Sequence, residues 1–231
     1  MKLVLLPGMD GTGLLFRPLL DLLDRTDLSV LVIDYPIDQS LTYTELLPLV
    51  RNRLPANEDF ILLAESYSGP LALQLIAEEI NGHTGTVLVA TFVRNPRPLL
   101  LRFLPHKLIG LLLHLPIPDF MLRYFLLGPD ATTALSALCR QAIRRVKPQV
   151  LAARLADISA CHPPISNHTH PCLCLIAAQD KLVPAHCSDD LRNTSRRVQL
   201  THLPGPHALL QSQPEACLSA ILAHLAWLTG Q

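Results

Sequence analysis

The sequence predicts an α/β fold: a mainly parallel sheet of about six strands, with helices on both faces and a helical insertion. Three observations predict it. Short apolar runs alternate with helical patterns along the chain. Those runs are apolar throughout rather than at every second residue, which is the pattern of strands buried on both faces. The 231 residues, 49% of them hydrophobic, are enough for one sizeable core and too apolar for a disordered chain. The layout is doubly wound, and residues 1–231 read as a single domain.

The elements follow in order. Lys2–Leu6 is a buried-strand run that stops at Pro7-Gly8. Leu14–Asp24 reads as a helix and Leu28–Asp34 as the second strand. Thr42–Arg53 is helical, with Leu46, Leu47, Leu49 and Val50 as its apolar positions. Asp59–Ala64 is the third strand and Ser68–Ile80 the helix after it. Gly85–Val93 is the fourth strand, Pro171–Ala178 the fifth and Arg197–Leu203 the sixth. The last helix runs from His207 to Leu228. Between the fourth and fifth strands lie helical patterns and no convincing strand, so residues 94–168 read as a helical lid inserted on the core.

Composition excludes several classes. The 19 basic and 19 acidic side chains balance, whereas a nucleic-acid binder needs a basic surplus. After Met1-Lys2 only Leu3–Leu6 is apolar before Pro7-Gly8, too short for a secretory h-region. The six cysteines are therefore expected to be reduced, in a cytoplasmic protein. The apolar stretch Leu99–Leu127 is broken by charges and by Pro105, Pro116 and Pro118, so it lacks the about 18–20 clean residues of a membrane helix.

Ligands in open α/β sheets bind at the carboxyl ends of the strands. The third strand runs into Ala64-Glu65-Ser66-Tyr67-Ser68-Gly69-Pro70. A serine between small residues on a tight strand-to-helix turn is a nucleophile elbow, and the helix N-terminus behind it favours developing negative charge. Ser68 would be the nucleophile in a shifted frame, but Pro70 then fits the second small position badly. A plain helix cap at Ser66 is the bland alternative.

A serine nucleophile needs a base, and the base an orienting acid. Asp180 follows the fifth strand, in Gln179-Asp180-Lys181, and His207 follows the sixth, in Pro204-Gly205-Pro206-His207. Three candidate groups thus fall at one sheet edge in the order Ser, Asp, His. His202 lies inside a strand, Glu78 and Glu79 inside the elbow helix, and Asp189 and Asp190 one element too late. The tetrahedral oxygen needs two backbone N–H groups. Tyr67, after the nucleophile, and Met9, in the glycine-rich loop Pro7–Gly13, are the candidates. That loop has neither dinucleotide nor P-loop spacing, so no nucleotide site is expected.

With these motifs on the page, the chain resembles the α/β-hydrolase superfamily, as a compact serine-esterase-like member. The likeness spans residues 1–93 and 171–231 as the core, with the middle as lid. Pro7-Gly8 stands where the family usually has His-Gly, and Ala64 and Ser68 stand where its elbow glycines are commonest. The resemblance implies hydrolysis of carboxylic esters, thioesters included, through an acyl-enzyme at Ser66, with no cofactor. An acyltransferase and a non-catalytic binding protein on the same fold are the alternatives.

The lid carries charge. Residues 94–154 hold ten basic side chains: Arg94, Arg97, Arg102, Lys107, Arg123, Arg140, Arg144, Arg145, Lys147 and Arg154. Their only acids are Asp119 and Asp130, a net +8 in a neutral chain. Leucine runs in the same segment suggest an apolar acyl substrate under the lid. The basic surface suggests an anionic carrier, similar to the acyl-carrier-protein esterases of this superfamily, or an anionic membrane surface. Solvated arginines on a plain cap are the alternative. Cys161-His162, His168, His170, Cys172 and Cys174 match no common zinc spacing, and no metal is expected.

Overall fold

A computed structural model describes residues 1–103, 105–112, 115–162 and 168–229. Six strands, β1 (Lys2–Leu6), β2 (Ser29–Val32), β3 (Phe60–Glu65), β4 (His83–Val89), β5 (Cys172–Ala177) and β6 (Val198–Leu203), form one sheet. Their order is β2-β1-β3-β4-β5-β6, and every pairing is parallel. The side-chain alternation of each strand feeds two cores. Val4, Leu6, Leu62, Ala64, Leu88 and Cys174 face one side, where α2 (Tyr43–Arg51) and α3 (Ser68–Ile76) pack. Leu3, Leu5, Ile61, Leu63, Val87, Val89 and Leu175 face the other, against α1 (Arg17–Leu23). Both faces are covered at the inner strands β1, β3, β4 and β5, which is why those runs show no polar alternation, whereas the edge strand β6 leaves Gln199 and His202 exposed.

Local chemistry sets the helix starts. Thr42 and Glu45 form a capping box at α2, with Thr42 N–H donating to Glu45 Oε2 at 2.8 Å. The structure shortens other expectations. The predicted helix Ser68–Ile80 stops at Ile76, because Glu79 turns to φ +50°. The predicted strand Gly85–Val93 begins at His83 and stops at Val89, where Ala90 takes φ +46°. The predicted last helix His207–Leu228 is two: α10 (Leu209–Ser212) and α11 (Pro214–Thr229), separated by the non-helical Gln213. Pro214 begins the second because proline suits a first helical turn. Between β5 and β6 stands α9 (Cys187–Leu191), a short element that the sequence reading did not separate.

Between β4 and β5 the chain forms α4 (Pro98–Phe103), α5 (His106–Leu112), α6 (Asp119–Leu122), a π-helical turn Arg123–Leu127, α7 (Thr133–Arg145) and α8 (Pro148–Ser159). The segment holds no strand among the described residues. Of the predicted lid 94–168, positions 104, 113–114 and 163–167 lie outside those residues, as does the side chain of Arg102.

Two expectations about this segment change. Its leucine runs do not turn inward throughout: Leu99 is 80% exposed, and Leu100, Leu108, Leu111, Leu112 and Phe120 are exposed as well. Its cations are largely engaged. Arg94 pairs with Asp190, Arg123 and Arg140 share Asp119, and Arg97 donates to the carbonyls of Lys181 and Leu182. Arg154 is buried outright, 1% exposed. Lys107, Arg144, Arg145 and Lys147 remain as exposed cations. All six cysteines are buried and free, and no described helix is long and apolar enough to cross a membrane.

Candidate active site

The strand order reverses at β1: β2 lies on one side and every later strand on the other. Such a switch point opens a crevice at the carboxyl ends. Its borders here are the loop after β1 and the turn after β3.

Ser66 forms that turn with φ +48°, a left-handed conformation sparsely populated by residues with a side chain. Its N–H donates to Val89 O at 2.9 Å, and its carbonyl accepts from Gly69 N–H at 3.1 Å. The residue is thus pinned between β4 and the first turn of α3. Gly69 is there for clearance: a Cβ would sit 2.0 Å from Thr91 Oγ1. Ser68, the alternative nucleophile, is fully buried, and its hydroxyl is bonded to Pro7 O and to the Tyr35 hydroxyl.

The structure brings the three predicted side chains together. Ser66 Oγ lies 2.8 Å from His207 Nε2, and His207 Nδ1 lies 2.8 Å from Asp180 Oδ2. Asp180 is itself fixed, since its Oδ1 accepts from the N–H groups of Leu182 and Val183, both at 2.8 Å. The Asp180 and His207 loops are joined where Gln179 N–H donates to Gly205 O at 2.9 Å. Because Nδ1–H donates to the Asp180 carboxylate, the Nε2 lone pair faces the serine. Burial works against the imidazolium. The Asp180 carboxylate, by charge and hydrogen bond, and the Glu65 carboxylate outweigh it, so the imidazole pKa is raised above its ordinary value. His202 is exposed on β6.

Tyr67 is held on three sides. Its carbonyl accepts from Tyr43 Oη at 2.7 Å, its ring stacks on Tyr43 at 4.6 Å, and its hydroxyl donates to Asp157 Oδ2 at 3.0 Å. Met9 lies across the crevice on the loop after β1, where Gly8 flanks the serine at a virtual Cβ–Cβ distance of 3.9 Å. Among the described residues the backbone N–H groups of Met9 and Tyr67 meet no acceptor.

Sequence reasoning missed two neighbours. Glu65 precedes the serine and is buried with only Gln211 Nε2 as donor, at 2.9 Å. Burial pushes its carboxyl up to about 7. Arg154 was counted as a surface cation, yet it shares a helix face with the buried Val150 and Leu151. A cation in an apolar stripe was the available signal. A groove of about 1430 Å³ adjoins the Asp180 and His207 loops through Gln179, Lys181 and Pro206, but Ser66, Asp180 and His207 do not line it. No three His, Cys, Asp or Glu side chains among the described residues are grouped to hold a metal ion.

The sequence model of a family described as "Alpha/beta hydrolase family" matches residues 3–220. Comparison with curated protein sequences finds no significant match. Among solved structures, a thermophilic esterase from Thermogutta terrifontis superposes with TM-score 0.80 at 17% identity, covering 99% of this chain and 90% of that one. A carboxylesterase of the thaumarchaeon Nitrososphaera gargenis gives 0.74 at 11% identity, over 99% and 91%. The RedJ thioesterase of prodiginine biosynthesis in Streptomyces coelicolor gives 0.68 at 20% identity, over 98% and 85%. At these identities the likeness is one of fold.

Proposed function

The chain belongs to the alpha/beta hydrolase family, and from that premise we propose that it cleaves carboxylic esters, thioesters among them, through an acyl-enzyme at Ser66. The observation that carries this reading is the 2.8 Å contact between His207 Nε2 and the hydroxyl of a serine held at φ +48°. Mutual hydrogen-bond reach of Ser66, His207 and Asp180 speaks for catalysis and against a non-catalytic binding protein.

Each step uses a group already in place. Ser66 Oγ attacks the acyl carbon while His207 Nε2 takes its proton, and Asp180 stabilises the imidazolium. The carbonyl oxygen becomes an oxyanion facing the Met9 and Tyr67 N–H groups and the N-terminus of α3. The intermediate collapses, His207 gives its proton to the departing alcohol or thiol, and the acyl group stays on Ser66. Water, deprotonated by His207, then attacks the acyl carbon, and His207 returns the proton to Ser66 Oγ as the acid leaves.

An apolar acyl group is the substrate part this reading favours, because the groove beside the Asp180 and His207 loops is lined from the insertion by Phe120, Leu127, Leu135 and Leu138. The helical insertion acts as a lid in this account. Its exposed cations suit an anionic carrier.

Ser66→Ala tests the assignment. It is expected to abolish turnover of p-nitrophenyl esters with an unchanged melting curve, and to stop labelling by a fluorophosphonate located by mass spectrometry. Wild-type turnover in that variant, or label on another residue, would remove Ser66 from the mechanism.

A further inference from the structure

Arg154 belongs to the helical insertion, yet its guanidinium ends behind the loop that borders Ser66. Nη1 donates to Met9 O at 2.8 Å and to Asp10 O at 2.9 Å, and Nη2 donates to Pro36 O at 2.9 Å. Its Cζ lies 5.7 Å from the Tyr35 ring centroid and 5.9 Å from that of Tyr67. Among the described residues no carboxylate forms an ion pair with it. A cation buried in this way is costly, so what it secures must be specific.

What it secures is the loop. The carbonyls of Met9 and Asp10 both end on one guanidinium nitrogen, so the two successive peptide groups point the same way. Their turn is closed by Gly11 N–H to Gly8 O at 3.0 Å. Those two peptide groups carry the N–H groups of Asp10 and Gly11; the Met9 N–H belongs to the Gly8–Met9 peptide, whose carbonyl is held by that Gly11 N–H, so the arginine fixes the Met9 N–H through the closed turn. Gly11 makes room for this: its φ is +68°, and a Cβ there would lie 2.5 Å from Arg154 Nη1. The same guanidinium lies against the ring of Tyr67, which carries the second N–H.

We propose that Arg154 is the positioning residue of the oxyanion site: from the inserted helix α8 it holds the loop after β1, and the Met9 N–H with it, in place to meet the oxygen developing above Ser66. The inference rests on the ester-hydrolase reading.

The test compares wild type, Arg154→Lys and Arg154→Ala, with rates counted per serine titrated by a fluorophosphonate. In Arg154→Ala, kcat for a p-nitrophenyl ester is expected to fall about 100-fold with KM changed less than about threefold. Arg154→Lys is expected to lie between. Added guanidinium chloride should restore kcat in Arg154→Ala where sodium chloride does not. The ratio of oxoester to thionoester rates should fall too, because a thiocarbonyl sulfur accepts hydrogen bonds poorly. A lowered melting temperature with wild-type kcat per titrated site and a wild-type oxo/thiono ratio would overturn the proposal and leave a purely structural arginine. If Arg154→Ala does not fold, Arg154→Lys and Gly11→Ala, which crowds the guanidinium from the loop side, carry the same readouts and decide it. A wild type that neither labels nor hydrolyses esters overturns the ester-hydrolase reading instead.

Discussion

Glu65 shows what a single residue beside the serine costs. Its Oε2 and the Oε1 of Gln211 are buried acceptors without a donor, and a proton on the carboxyl relieves that conflict. The folded protein therefore holds this proton up to about pH 7, against an ordinary value of 4.5. Between those two values the folded state binds a proton that the unfolded state has released, so stability falls as pH rises through the window, by about 3 kcal/mol. Glu65→Gln is expected to flatten this slope, melting higher than wild type at pH 8 and about equally at pH 5. Parallel slopes in both proteins across pH 5–8 would show that Glu65 is not the source. At this scale the sequence was informative where a residue's place along the chain fixes its place in space. Ser66, Asp180 and His207 each follow a strand, and parallel strands bring their carboxyl ends to one edge. Glu65 and Arg154 were not legible in this way, because their roles come from what surrounds their side chains after packing.

The elbow is the element on which the site depends, and it works without the glycines that usually flank such a serine. Ala64 and Ser68 are small enough, and the close approach occurs one residue later, at Gly69 against Thr91. That contact exists because β4 ends early: Ala90 at φ +46° turns the chain so that Thr91 Oγ1 bonds the Ser66 carbonyl. The strand predicted to run on to Val93 hid this turn, since an apolar run carries no mark of where its backbone leaves the sheet. The split between α10 and α11 was hidden for a similar reason, its one signal being Pro214. Strand and helix identities, by contrast, were legible from unbroken apolar runs and from apolar positions at helical spacing. Gly69→Ala would place a Cβ 2.8 Å from Thr91 Cβ as well as against its hydroxyl. It is expected to cost about 1–3 kcal/mol and to lower esterase activity by moving Ser66. Thr91→Ala on that background should recover part of the melting temperature, and equal melting of Gly69→Ala and wild type would show that the turn yields freely.

Across the whole molecule, charge and topology divide the labour. In the proposed mechanism the switch point between β1 and β3 sets where chemistry happens, and the insertion between β4 and β5 sets what surrounds it. The excess of +8 in residues 94–154 was legible as a count, but its distribution was not. Asp119 and Asp190, the carbonyls after Asp180 and the interior site of Arg154 absorb half of the ten cations. Arg144 and Arg145 at the end of α7 and Lys147 before α8 remain close together and exposed. They are where an anionic carrier would be met. Charge reversal at Arg144, Arg145 and Lys147 together is expected to slow hydrolysis from an acylated acyl carrier protein several-fold. It should leave hydrolysis of a small neutral ester unchanged, because none of the three touches the serine. Exposed charges act mainly on association, so the carrier-bound rate in wild type should fall with added salt while the small-ester rate stays level. If both substrates respond alike to the substitutions, or neither responds to salt, the cations serve only to solvate the cap, and the natural substrate is a free ester.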